Sequence, residues 1–463
     1  MSLSFGMAKS RIFLFEQEKI PAAVLSLSLP TIVSNLVTVV YSLADTFFVG
    51  LLNNPVQTAA VSLAAPVLLA FNAVNNLFGV GASSMMSRAL GAHDFKTMHQ
   101  SSAFGFYGAL AAGLLFSLLA FVFINPLFAM LGASGETVLP TGRYLLWTVL
   151  IGAAPSILNV VMAYLVRAEG ATTHAALGTM SGCLLNIILD PFFILPGFLN
   201  MGAEGAALAT LLSNCFAVGY FLVYIYAKRG QTHVSIRLKD FTLHKKIVSG
   251  VCSVGIPASI QNLLNVASQM LMNNLAAGYG TTAVAAMGIA TKAAMVPMYI
   301  SQGISQGVMP LVGYAYGAKN APRFKEAVLF TIKFALIVLF SAMALFELFP
   351  GTIVSFFINN EPTVEAGSRL IRGLALAIPF LATDFLAVGV FQAVGQGSKA
   401  LFMAIMRKVV LEIPAMLLLN WLVGLYGLGY SQFCAEFVMA FLGLFLLMRF
   451  YKKWRASLGV CTK

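Results

Sequence analysis

Apolar stretches of about twenty residues or more alternate along the whole chain with short connections that hold most of the charge. A helix must present about 20 mainly apolar residues to cross hydrocarbon, because backbone groups left unpaired there are costly. That ruler predicts twelve spans, at 21–50, 57–87, 101–124, 139–166, 173–195, 204–227, 247–278, 281–311, 326–349, 367–392, 399–423 and 430–450. Several exceed the minimum, which predicts tilt or extension beyond the bilayer. The expected class is therefore all-α and polytopic.

Composition excludes the competing classes. Of 463 residues, 59% are hydrophobic and only 10% charged, against roughly 25% charged in ordinary soluble domains. A soluble globule would have nowhere to put that much apolar surface. Disorder and a disulfide scaffold are excluded on the same ground. Cys183, Cys215, Cys252 and Cys434 sit inside apolar runs and Cys461 in the tail, with no metal-ligand or disulfide spacing, so they read as small core residues.

The formal charge of +12 raises the question of nucleic acid, but position matters more than the total. With a cytoplasmic N-terminus, 24 of the 28 Lys and Arg fall in or beside inner connections. Arg143, Arg369 and Arg372 fall near the outer face with Glu136, Glu204, Glu361 and Glu365, and Lys292 lies within a span. The positive-inside rule then puts both termini in the cytoplasm, and the cations face an anionic leaflet; no nucleic-acid partner is expected. Residues up to Lys19 read as a polar lead-in rather than a removed signal peptide. His93, His99, His174, His233 and His244 lie in or near inner loops and suggest neither a catalytic base nor a metal site.

The chain also matches itself at an offset of about 226 residues. Pro30 and Asn35 fall on Pro257 and Asn262, Gly81 on Gly307, Gly91-Ala92 on Gly317-Ala318, and Arg167-Ala-Glu-Gly170 on Gln392-Ala-Val-Gly395. An offset of six helices gives two copies of the same orientation, related by an axis along the membrane normal. Two pseudo-twofold-related six-helix bundles around a central cleft follow: an N-terminal lobe at 1–227, a basic cytoplasmic linker at 228–246, and a C-terminal lobe with a tail at 247–463. The linker reads as a solvated loop.

These residues resemble the multidrug and toxic compound extrusion (MATE) family, and within it the DinF-like branch. The resemblance covers almost the whole chain. It rests on Pro30, Tyr41 and Asp45 followed by Thr-Phe-Phe-Val-Gly, on Asn186-x3-Asp190-Pro and on Arg88-Ala-Leu-Gly-Ala92. Gly202-x2-Gly205-Ala-Ala-x-Ala-Thr210 and Gln306-Gly-x2-Pro310-x2-Gly313-x3-Gly317-Ala318 add to it. The family implies an exporter in the bacterial inner membrane for bulky, often cationic compounds, driven by inward flow of protons or sodium.

Acids inside a bilayer cost about 2.5 to 3.5 kcal/mol on insertion scales, so they normally face protein or water. Asp45, Asp190, Asp384, Glu412 and Glu436 all fall inside predicted spans. At 1.5 Å rise per residue, Asp45, Asp190 and Thr210 sit roughly 8 to 12 Å from the outer ends of helices 1, 5 and 6, one shared layer. Asn186 projects from the same face as Asp190, one turn earlier. Two carboxylates, an amide and a hydroxyl suit sodium, or a single shared proton, since two nearby carboxylates resist carrying two charges at once. The resemblance places the coupling cation at the matching positions Asp45, Asn186, Asp190 and Thr210. No metal beyond such a sodium ion is expected.

Pro30 interrupts the hydrogen-bond ladder of helix 1, and the resemblance implies protonation-linked bending of that helix. Tyr41, one turn before Asp45, is placed to donate to it or simply to pack. In the second lobe Asp45 aligns with Met272, so the same constellation is not repeated. Asp384 falls opposite Asn159 in the repeat and resembles an acid of the NorM-like branch, whose helix 7 acid is replaced by Gln261 and Asn262. Lys292 is the expected partner of Asp384, Glu412 or Glu436, with Lys408 one turn from Glu412. A structural ion-pair network is favoured there over a second transport site.

Thirty-seven Phe and 21 Met supply adaptable apolar surface, and acids at cavity depth favour amphiphilic organic cations as cargo. The resulting expectation is a monomeric secondary multidrug antiporter working by alternating access, with H+ or Na+ as coupling ion, no cofactor and no enzymatic activity. The alternative is a flippase for a lipid-linked precursor of the same bundle plan. No phosphate-binding loop is present in the sequence, which argues against ATP as the direct energy source.

Overall fold

The computed structural model describes residues 12–52, 54–195, 197–358 and 360–459; Lys9, Arg11, Cys461 and Lys463 lie outside them. Each expected apolar stretch is helical. The spans are α1 (Ile20–Gly50), α2 (Pro55–Gly91), α3 (Phe95–Val122), α4 (Gly135–Ile151 with Ala153–Ala168), α5 (Thr172–Ile194) and α6 (Ala203–Ala227). Then follow α7 (Lys245–Ala277), α8 (Thr281–Gly317), α9 (Ala321–Leu348), α10 (Glu361–Ala393), α11 (Gly397–Ile405, Met406–Glu412 and Ile413–Val423) and α12 (Leu425–Ser457). Among the described residues ten are each long and apolar enough to span a bilayer, and α4, bent by 49° at Gly152, makes an eleventh. Charge rather than length sets α11 apart, because Arg407, Lys408 and Glu412 all sit in its central π-helical segment.

Short polar side chains start several of these helices. Asp94 caps α3 by accepting from Thr97 N at 3.0 Å, and Asn320 caps α9 by accepting from Arg323 N at 3.0 Å. Such caps satisfy backbone donors that have no partner inside the helix. The residue before each cap, His93 (φ 55°) and Lys319 (φ 56°), is left-handed. The turns at Gly91-Ala92 and Gly317-Ala318 are thus the same turn built twice, in keeping with the internal repeat.

The chain divides into two compact units, and the division departs from the expected lobes. Among the described residues the first holds 12–17 together with Val33–Ser259; the second holds Glu18–Ile32 together with 260–459. Two helices therefore serve both units: α1 changes unit after Ile32 and α7 after Ser259. The linker at 228–246 belongs wholly to the first. Pro30 and Pro257, partners in the repeat, each precede the change by one residue between. A proline in a helix interior removes one backbone bond and loosens the ladder, so the helix can redirect its packing there.

Close approach within each unit relies on matching glycines. In the second unit a Cβ on Gly307 of α8 would lie 2.6 Å from Ser28 Cα of α1. In the first, a Cβ on Gly81 of α2 would collide with the Val251 carbonyl of α7. Small residues let helix backbones meet at this distance where no water drives them together. Apolar cores fill the rest: Met86, Leu145, Ile157, Met162 and Phe221 are buried in the first unit, and Met272, Met287, Ile371 and Leu428 in the second.

Candidate functional site

The first unit brings together the four polar residues expected to share a layer. α5 sets Asn186 and Asp190 on one face, with exposures of 1% and 0%. With the Asn186 amide turned so that its nitrogen meets the carboxylate, it donates to Asp190 Oδ2 at 2.9 Å and accepts from Thr210 N of α6 at 3.1 Å. This orientation is assigned from the hydrogen-bond network. The half-buried Thr210 lies beside Tyr41 of α1, whose hydroxyl it can pair with. Asp45, also half-buried, lies one helical turn beyond Tyr41 and interacts electrostatically with it and with Asp190.

Tyr144 of α4 joins this cluster, buried and within electrostatic reach of both Asp45 and Asp190. Sequence reasoning missed it. Its neighbour Arg143 was legible only as an outer-face cation, and nothing in the spacing says which face of a bent helix points inward. Arg143 pairs with Glu204 at 3.3 Å, and Trp147 Nε1 donates to the same carboxylate at 3.1 Å, which ties α4 to the start of α6. Among the described residues neither Asp45 nor Asp190 has a Lys or Arg within ion-pair distance. Two acids, an amide and hydroxyls thus face one another without a fixed counter-charge.

Asn159 stands apart from this group. It donates to Asn214 Oδ1 of α6 at 3.0 Å, and Asn214 donates to Ser156 Oγ at 2.9 Å. Pro30 lies outside the unit that holds Asp45, on the part of α1 before the change of unit.

The second unit is arranged differently. Arg407 of α11, 3% exposed, lies 2.8 Å from Asp384 Oδ2 of α10 and 3.6 Å from Glu436 Oε1 of α12. Its other nitrogen donates to Asn265 Oδ1 of α7 at 2.9 Å. Lys408 pairs with Glu412 at 2.6 Å, and Ser268 donates to Glu412 at 2.7 Å. Two expectations are corrected here. Arg407, not Lys292, is the cation beside Asp384 and Glu436, while Lys408 pairs with Glu412 as the one-turn spacing suggests. Nor do Arg407 and Lys408 flank the membrane, since both are held among helices by carboxylates. A signal was available: they fall well inside the predicted span 399–423, where three nearby acids demand cations. Lys292 instead lines a cavity of about 460 Å³ in this unit, together with Asn265, Met295, Phe385 and Glu436.

Comparison with known proteins adds an independent line. The MatE family model matches twice, at residues 30–192 and 257–418, which are the two copies of the repeat. The multidrug export protein MepA of Staphylococcus aureus is 32% identical over 442 residues, covering 95% of this chain and 96% of that protein. An outward-facing multidrug resistance MATE transporter of the MOP superfamily superposes with a TM-score of 0.90 at 27% identity, covering 96% of this chain and 98% of that one. A MATE structure described as straight also gives 0.90 at 27% identity, with 96% and 99% covered.

Proposed function

The chain belongs to the MATE family of multidrug efflux transporters, and from that premise we propose that it exports amphiphilic, mostly cationic compounds in exchange for protons taken up at Asp45 and Asp190. The carrying observation is the contrast between the two units: the buried acids of the second, Asp384, Glu412 and Glu436, have guanidinium and ammonium partners, whereas Asp45 and Asp190, within electrostatic reach of each other, have none among the described residues. A pair of mutually repelling carboxylates beside hydroxyl and amide donors is suited to gain and lose a proton as its surroundings change. The second-unit network is a structural one, with charges that stay paired.

Protons fit this site better than sodium. Sodium seeks several oxygen ligands. The Asn186 oxygen is already engaged by Thr210 N, and its nitrogen is turned to Asp190. A sodium ion would have to share the Asn186 and Asp190 oxygens with the hydrogen bonds they already accept and gather further ligands from Asp45 and the hydroxyls. A proton on either carboxylate needs no added ligands, and the tyrosines Tyr41 and Tyr144 lie within electrostatic reach of the pair.

Asp45 and the proline-loosened turn belong to one helix. Neutralising Asp45 removes its repulsion from Asp190 and alters how the second half of α1 packs, while the first half stays with the other unit. Protonation in this way biases α1 between two arrangements, the element on which alternating access would turn. In this scheme the protein acts as a monomer in the bacterial inner membrane with both termini in the cytoplasm, the orientation its basic connections favour.

Isosteric neutralisation is the test. Asp45→Asn and Asp190→Asn should each reduce export of a fluorescent organic cation at least about a hundredfold, since each removes a proton acceptor used in every cycle. Both variants should still purify as monodisperse protein. Export at the normal rate by both would reject the proposal.

A further inference from the structure

We propose that the linker between the two sequence halves forms a binding site for the phosphate headgroup of an anionic membrane lipid. The linker is a built part of the first unit and not the solvated loop its composition suggests. Glu169, 1% exposed, accepts from Tyr224 Oη at 2.8 Å, Thr232 Oγ1 at 2.9 Å and His233 N at 2.7 Å. Ser102 of α3 donates to Ser235 O at 3.0 Å and accepts from Ser235 N at 3.1 Å, and Tyr107 donates to Ile236 O at 2.8 Å. A buried carboxylate and two α3 hydroxyls thus hold the strap against the bundle.

Under the strap lies a cavity of about 630 Å³ between α3, α6 and the linker. Arg229, Arg237, His99 and His233 line it together with Leu222, Ile225 and Tyr226, the apolar wall that α6 contributes. Among the described residues neither arginine has a carboxylate within ion-pair distance. Asp240, the one acid on the wall, accepts from Ser235 Oγ at 2.6 Å. His233 stacks on Phe95 at 5.0 Å between ring centres, which fixes its ring, and Arg229 stands over the Tyr226 ring at 5.9 Å.

Guanidinium groups recognise phosphate through paired, charge-assisted hydrogen bonds. The apolar wall decides the source of the phosphate. Tyr226, which lines the cavity, and its neighbour Val223 are 75% and 67% exposed at the end of α6, as expected of side chains that meet lipid at the end of a spanning helix, so acyl chains lying on them would bring a headgroup to Arg229. A free phosphate would leave that wall unused, whereas a phosphatidylglycerol-type lipid fills both sides. Each juxtamembrane cation strengthens attachment to anionic lipid about fivefold. The site is independent of the transport reading.

The test is lipid binding to the full chain in detergent, measured by native mass spectrometry with phosphatidylglycerol against phosphatidylcholine, alongside thermal stabilisation by each. Wild type should retain phosphatidylglycerol selectively, and Arg229→Gln with Arg237→Gln should bind it about tenfold to thirtyfold more weakly. Lys452→Gln with Lys453→Gln, exposed on α12, should bind as wild type does. Should the glutamine pair not fold, Arg229→Lys with Arg237→Lys, which keeps charge but loses the planar fork, should bind severalfold more weakly. Unchanged binding in the arginine variants, or equal weakening in the α12 control, would overturn the site. Stabilisation by inorganic phosphate as large as by the lipid would overturn its assignment to lipid.

Discussion

Asp45 and Asp190 differ from the buried acids of the second unit in lacking a fixed cation among the described residues, and the side chains around them decide what that freedom is for. Asn186 ties Asp190 to the backbone of α6 through one amide. Asn186→Ala removes the amide that bridges Asp190 and the α6 backbone, leaving buried partners unsatisfied at a cost of about 1 to 3 kcal/mol, and should slow export of the fluorescent organic cation at least tenfold; wild-type export would show that the amide is dispensable. Asp94 offers a separate check outside the membrane. Its side-chain and backbone hydrogen bonds with Thr97, then the nearby Lys246, hold its carboxyl below the ordinary value of 3.8. A lowered folded value means that the ionised cap stabilises fully above the ordinary value and that this is lost as pH falls through the folded value. Asp94→Ala should therefore lower thermal stability by about 1 kcal/mol at neutral pH, with the gap narrowing below pH 4; a gap that widens in acid would contradict the assignment. At this scale the sequence was informative where depth alone suffices. Rise per residue brought Asp45, Asn186, Asp190 and Thr210 into one layer, but it could not reveal Tyr144, because facing across a bent helix is set by packing rather than by spacing.

Among the elements, α11 shows how a chain can hide cations in an apolar stretch. Its π-helical turn carries Arg407 and Lys408 on consecutive residues, and the two point to different carboxylates: Arg407 to Asp384 and Glu436, Lys408 to Glu412. Removing one partner of a buried pair strands the other, at a cost of about 3 to 5 kcal/mol. Arg407→Leu should lower the thermal midpoint in detergent accordingly, and adding Asp384→Asn with Glu436→Gln should recover most of the loss. An unaltered midpoint in the single variant would mean that the network bears no structural load. Helices α1 and α7 carry the other lesson. The repeat made Pro30 and Pro257 visible as partners, yet no local pattern says that a helix will change packing unit two residues later, since that depends on what each half meets in three dimensions. For the same reason the linker looked like a free basic loop: the residue that docks it, Glu169, is distant in sequence and was legible only as part of a motif.

For the molecule as a whole, duplication is the feature most fully written in the sequence. It is expressed in the paired turns at His93 and Lys319 and in the two matches of one family model. The copies have diverged in chemistry: among the described residues the first keeps Asp45 and Asp190 without cations and the second pairs its buried acids Asp384, Glu412 and Glu436, so that a symmetrical scaffold carries an asymmetrical charge pattern. A transporter built this way would let one half respond to an ion gradient while the other stays electrostatically fixed. Uptake of a fluorescent organic cation into inside-out vesicles, with proton and sodium gradients imposed separately, tests this most directly. The account predicts that a proton gradient alone, acid inside, drives accumulation, and that Asp45→Asn abolishes it. Accumulation driven by sodium alone, or an undiminished proton response in Asp45→Asn, would contradict it.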